Sequence, residues 1–163
     1  MRYVRRVLQP GETIVYTTKL HWLIYAQTIL LLIISVILLG VGLLINYDQN
    51  MTAAFGIGAV VFALVALFTG LRAFIRRATT ELAVTDHRVI YKTGLLSRHT
   101  IEMNRDKVES VDVDQTLLGR VFGYGTITVR GTGGSLEPIR DIGDPLTFRS
   151  HITAGPSTRG TQD

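Results

Sequence analysis

The sequence predicts an α+β membrane protein, a transmembrane α-helical hairpin followed by a small antiparallel β-domain that ends in a helix. Three observations carry this. From Trp22 to Ile45 there is no formally charged side chain, and from Met51 to Leu71 there is none either. After Arg77 the pattern changes to short runs in which apolar and polar residues alternate. Near the end, Asp144 and Pro145 read as the N-cap and first residue of a short helix through Ile152.

The two apolar runs come first. Each exceeds the roughly 18 to 20 apolar residues that cross a hydrocarbon core as a helix. One such run is readily a buried helix of a soluble domain, but two adjacent ones of this length are not. Arg2, Arg5 and Arg6 have the character of a signal-peptide n-region. The run after them is about twice the usual length, and no Ala-x-Ala follows Ile45, so the first helix is expected to stay. Asn46 to Asn50 leaves room for a tight turn whose one charge is Asp48. On the other side lie Arg2, Arg5, Arg6 and Lys19 before the first run, and Arg72, Arg76 and Arg77 at the end of the second. The positive-inside rule then predicts a multi-pass protein with both termini in the cytoplasm. Trp22, Tyr25 and Tyr47 occupy interfacial positions. The expected division is 1–21 as a cytoplasmic N-terminal segment, 22–77 as the hairpin and 78–154 as the cytoplasmic domain. The tail 155–163 has no apolar content and is expected to be disordered.

Composition narrows the function. The chain has no cysteine, which excludes disulfides, thiolate metal sites and cysteine nucleophiles. Its pI near 9.7 invites a nucleic-acid reading. From Thr79 to Ala154, however, nine basic residues face ten acidic ones, a net of −1. The positive excess belongs to the membrane flanks, and a nucleic-acid footprint needs a basic face on the domain itself. No nucleic-acid partner is expected.

Within the domain, "TTELAVT" places Leu82 and Val84 on one face and "DHR" makes a turn. "RVIYKTG" ends at Gly94. Ile101 with Met103, Val111 with Val113, and Ile127 with Val129 then share faces in successive runs. Five or more short antiparallel strands with one helix fit a partly open barrel or a sandwich, and strand order alone separates neither. The stretch "LLGRVFGYGTITVRG" tests for a phosphate cradle. A dinucleotide cradle needs a strand, a G-x-G-x-x-G turn and then a helix. Here Gly119, Gly123 and Gly125 precede a strand, so they are read as turn devices that bring Leu118 and Phe122 into the core.

The opening strand T-x-x-R-V-I-Y, the K-T-G-L-L turn, the K-V-E-S-V strand and L-L-G-R-x-F-G-Y-G-T-I together resemble the bacterial pleckstrin-homology-like family of small membrane proteins. "LQPGETIVYTTKLHW" is similar to the segment that leads into the first helix of such proteins. The resemblance implies two curved antiparallel sheets capped by a C-terminal helix, and it implies little about activity. Phosphoinositide-binding relatives carry basic side chains near the first hairpins. Lys92, Arg98 and Arg105 are therefore the candidate lipid or partner contacts, although "KTGLLSRH" lacks those relatives' compact basic cluster.

No catalytic constellation emerges. His21, His87, His99 and His151 lie at no metal-ligand spacing. Asp112 and Asp114 share a strand face as carboxylates on a solvated strand commonly do, and no serine has a nucleophile-elbow context. No enzyme activity, cofactor or metal is expected. In the second helix, Gly56, Ala59, Ala63, Ala66 and Gly70 fall on one stripe at spacings of three and four, a pattern that lets helix backbones approach closely in lipid. Ala26, Ser35, Gly40 and Gly42 form no such stripe in the first helix, so it is expected to supply large side chains. The favoured function is a membrane-anchored interaction or scaffold module on the inner leaflet that forms a homo-oligomer. The alternatives are a transporter or channel subunit, which the lack of intramembrane charge before Arg72 disfavours, and a weak anionic-lipid sensor.

Overall fold

The computed structural model describes residues 3–44, 48–95, 99–132, 134–135 and 138–154. The expected interfacial Tyr47, the contact Arg98 and the tail 155–163 lie outside them. The chain divides into two compact units, Met1–His21 with Arg77–Asp163, and Trp22–Arg76.

The first unit holds two antiparallel sheets. One orders β1 (Ile14–Thr18), β2 (Glu81–Thr85), β3 (Arg88–Thr93) and β4 (His99–Asn104) in sequence. The other orders β5 (Val108–Asp114), β6 (Tyr124–Gly131) and β7 (Gly134–Ser135), with β8 (Ile139–Gly143) also paired to β6. The two join where Leu20 bridges Ile142 and the Thr18 hydroxyl donates to Gly143 O at 2.7 Å. Alternation along the strands turns Leu82, Val84, Val89, Val111, Ile127 and Val129 into one core, as the sequence predicts. The helix α5 (Pro145–Thr153) closes it with Phe148 and Ile152. Burying a side chain such as Phe148 stabilises the fold by roughly 1.5–3 kcal/mol. Asp144 stands at the N-cap of α5 as expected, but in a left-handed conformation (φ 51°) and without a side-chain cap.

The N-terminal segment is part of this unit. β1 pairs with β2 from Ile14↔Thr85 to Thr18↔Leu82. The short helix α1 (Val4–Val7) sets Val4 against Ala83 and Ile90 on the other face of the sheet. That is why β2 is buried on both faces. The sheet is thus built from strands on either side of the apolar segment.

The second unit contains α2 (Ala26–Leu44), entered through a 3-10 turn at Trp22–Tyr25, and most of α3 (Gln49–Thr79). Trp22–Leu44 and Gln49–Thr79 are long and apolar enough to cross a membrane. At 1.5 Å per residue α3 is about 46 Å long, which exceeds a hydrocarbon core of about 30 Å. The helices meet along small residues on both sides. The Ser35 hydroxyl donates to Ala59 O at 2.8 Å, and a Cβ on Gly42 would lie 2.9 Å from Phe55 Cβ. A Cβ on Gly70 would lie 3.0 Å from Thr28 Cγ2. Thr28, Ser35 and Gly42 recur every seventh residue, as do the buried Ala59, Ala66 and Ala73 of α3. The first helix therefore does carry a small-residue stripe, against the sequence expectation. Thr28 is the position that joins Ser35 and Gly42 into one stripe at spacings of seven.

Candidate functional site

A groove of about 950 Å³ opens at one end of the first unit, between Gln9–Thr13, the β2–β3 turn, the turn at Asn104–Asp106 and the last residues of α5. The first three walls adjoin ends of β1 to β4, and the fourth is the C-terminus of α5. Its centre is Arg88, the first residue of β3. The guanidinium donates to both Glu12 oxygens, through Nε at 2.9 Å and Nη2 at 2.7 Å. It also donates to Glu102 at 2.6 Å and to Val7 O at 2.9 Å. Burial pushes the Glu12 carboxyl up, but the Arg88 bonds, the Gln9 N–H and the Thr85 hydroxyl outweigh it and hold it down at about 2. The same bonds raise the Arg88 pKa. Beside them, hydrogen bonds from His87 and from Thr13 hold Asp86 at about 2.

Arg105 lines the groove too, but its donors reach Thr85 O at 3.3 Å, His151 O at 3.0 Å and Ile152 O at 3.3 Å. It caps the carbonyl end of α5. Both guanidiniums thus satisfy acceptors of the protein itself, and the groove carries the carboxylates of Asp86 and Asp106 besides. Such a lining matches a neutral or cationic segment better than a phosphate.

The structure does not bring Lys92 to Arg105. Lys92 sits at the far end of β3, paired with Glu81, and its Nζ donates to Thr79 O at 3.4 Å and lies 5.9 Å from the Tyr3 ring centre. Four residues of strand separate it from Arg88, about 13 Å along the sheet.

The glycines of the LLGRVFGYG stretch behave individually. Residues 117–122, expected from sequence to be turns that carry Leu118 and Phe122 into the core, form a helix, α4 (Leu117–Phe122). The Thr116 hydroxyl accepts from Gly119 N at its start, and Gly123 ends it at φ 70°. Gly119 faces inward, where a Cβ would lie 2.7 Å from Tyr124 O. Gly125 has ordinary backbone angles, but its Cβ would lie 2.8 Å from Asp114 O. Because α4 packs through Gly119, its apolar residues turn outward. Leu117 is 81 % exposed, Leu118 61 %, Val121 78 % and Phe122 46 %. The expected core positions of Leu118 and Phe122 are therefore overturned. A segment of six residues is too short for its apolar spacing to tell which side of a helix meets the sheet.

Asp112, the carboxylate singled out beside Asp114, pairs with Arg130 at 2.9 Å on a half-exposed surface, a contact of little energetic weight. Among the described residues no cluster of His, Asp and Glu could hold a metal ion. His21 instead stacks on Tyr124 and His151 on Tyr16. A family model described as "Bacterial PH domain" matches residues 20–155. No curated protein and no solved structure matches the chain.

Proposed function

The chain belongs to the bacterial PH domain family, and from that premise we propose that it is a membrane-anchored interaction module on the cytoplasmic face of a bacterial membrane. One observation carries this reading. β1 and β2 are paired neighbours in one sheet, yet two apolar helices lie between them in the chain. Strands that pair must lie on one side of a bilayer, so the intervening segment crosses an even number of times. Two helices of spanning length meet that condition, and seven basic residues flanking the uncharged runs 22–45 and 51–71, against none in the turn, favour both ends in the cytoplasm. The groove around Arg88 then serves a protein segment rather than a phosphate, and it holds no catalytic arrangement. Self-assembly belongs to the same proposal. It is supported by Gly56, where a Cβ would meet nothing within 4 Å, beside the half-buried Ala63.

The test is accessibility in intact cells, which the absence of cysteine makes clean. A cysteine at Asn50 reacts with an impermeant thiol reagent, and one at Glu109 does not. Labelling of Glu109→Cys with protection of Asn50→Cys refutes the orientation.

A further inference from the structure

We infer that the end of the domain opposite the groove docks on the lipid surface, with α4 and Leu95, just past β3, inserting apolar side chains into the headgroup region. This rests on the proposed anchoring. Among the described residues, the large exposed apolar side chains of the first unit are Val15, Leu95, Leu117, Leu118, Val121, Phe122 and Leu146. All but Val15 lie at one end. Leu95 follows β3 where the Thr93 and Thr80 hydroxyls meet at 3.2 Å. Leu146 follows Pro145, whose ring would lie 3.1 Å from a Cβ on Gly125. An end-on cluster of this kind is not scattered surface apolarity.

The occupant follows from where the chain leaves and rejoins the domain. His21, the residue before Trp22 and the first apolar helix, stacks on Tyr124 with ring centres 5.5 Å apart, and Tyr124 directly follows the α4 cap. Thr79, the last residue of α3, accepts from Lys92 at 3.4 Å, three positions before Leu95. His21 and Thr79, where the chain leaves and rejoins the domain, thus lie at the end that carries this cluster. Only Thr80 separates α3 from β2, so no flexible linker lies between the helix and the sheet. In α4, helical geometry of 100° per residue puts Leu117, Leu118, Val121 and Phe122 on a face about 140° wide. Arg120 is the one charged residue of that helix and is exposed. An apolar face, a cation and neighbouring rings are the chemistry of an interfacial helix.

The full chain carries single cysteines at Val121, Leu117, Ile33 or Lys107, each labelled with an environment-sensitive nitrobenzoxadiazole. It is reconstituted in phosphatidylcholine–phosphatidylglycerol vesicles containing lipids nitroxide-labelled at both shallow and deep acyl positions. The Val121 and Leu117 probes are expected to be quenched at least roughly half as strongly as the Ile33 probe, with the Lys107 probe at the aqueous level. If Ile33 is quenched while Val121 and Leu117 match Lys107, docking is wrong and the anchoring stands. If Ile33 is not quenched either, the anchoring fails and docking fails with it. Probes at Val121 and Leu117 that are shielded from an aqueous quencher but untouched by the lipid one identify a protein occupant and likewise overturn the proposal.

Discussion

Arg88 Nη2 and Glu12 Oε2 lie 2.7 Å apart across a gap of 76 sequence positions that contains both apolar helices. Both side chains are nearly buried, at 12 % and 3 % exposure. The pair clamps the N-terminal segment onto the strand that follows the hairpin.

Glu12→Gln keeps the shape but removes the charge, leaving Arg88 with weaker acceptors. The domain is expected to lose on the order of 2 kcal/mol, read as a lower melting temperature by circular dichroism in detergent. An unchanged melting curve would show that the clamp contributes nothing.

Acid acts on the same bond. The folded chain holds the Glu12 carboxyl at about 2, below the ordinary 4.5, so the unfolded chain binds that proton more readily. The stabilisation is complete above about pH 4.5 and fades as pH falls towards about 2, amounting to at most roughly 3 kcal/mol. Asp86, also held at about 2, titrates in the same window. Melting temperatures from neutral pH to about pH 3 should fall in the wild type and be flatter in Glu12→Gln.

Residues 77–154 alone lack β1 and α1, which uncovers Ala83 and Ile90 and leaves β2 as a bare edge. That fragment is expected to aggregate. Replacing the 22–76 segment by a short Gly/Ser linker should restore a soluble, folded domain, because Thr18 and Leu82 are already cross-strand partners. Equal solubility of the two chains contradicts the interrupted sheet.

Alanine at the three glycines should separate their roles. Gly123 has open space but a left-handed φ, so alanine costs about 1 kcal/mol. At Gly119 and Gly125 the added Cβ meets a backbone oxygen, and the cost rises to about 2–3 kcal/mol. Equal melting temperatures for all three variants would refute the ranking.

Isoleucine in α3 distinguishes packing within the hairpin from packing between copies. Ala66 is fully buried, so Ala66→Ile is expected to disrupt the hairpin and lower membrane yield. Ala63→Ile should spare the hairpin and reduce any oligomer seen by cross-linking in lipid. An oligomer unaffected by Ala63→Ile would remove self-assembly through this face.

The two apolar helices, strands β2 to β6 and helix α5 were legible because each depends on local periodicity or a cap. Ile14–Thr18 does not show itself in the sequence as a strand of the domain, since its partner lies beyond the hairpin and short-range pattern carries no such information. The outward face of α4 depends on the 2.7 Å approach of Gly119 to Tyr124 O, a relation between packed elements. The candidate contacts failed to converge for a similar reason. Lys92 and Arg105 are close in sequence, but the β3–β4 ladder sets them at opposite ends.

The interrupted sheet also sets an order of events. As the chain leaves the ribosome, Ile14–Thr18 emerges long before the strand it pairs with, and under the proposed anchoring it must wait while both helices pass into the bilayer. Glu12 likewise stays without Arg88 until the second helix has been made. Under the proposed topology, a nascent chain that inserted only one helix would strand β1 on the far side, and the domain could never close. Folding of the cytoplasmic sheet would thus act as a checkpoint on correct insertion, with misinserted chains left unfolded and open to proteolysis.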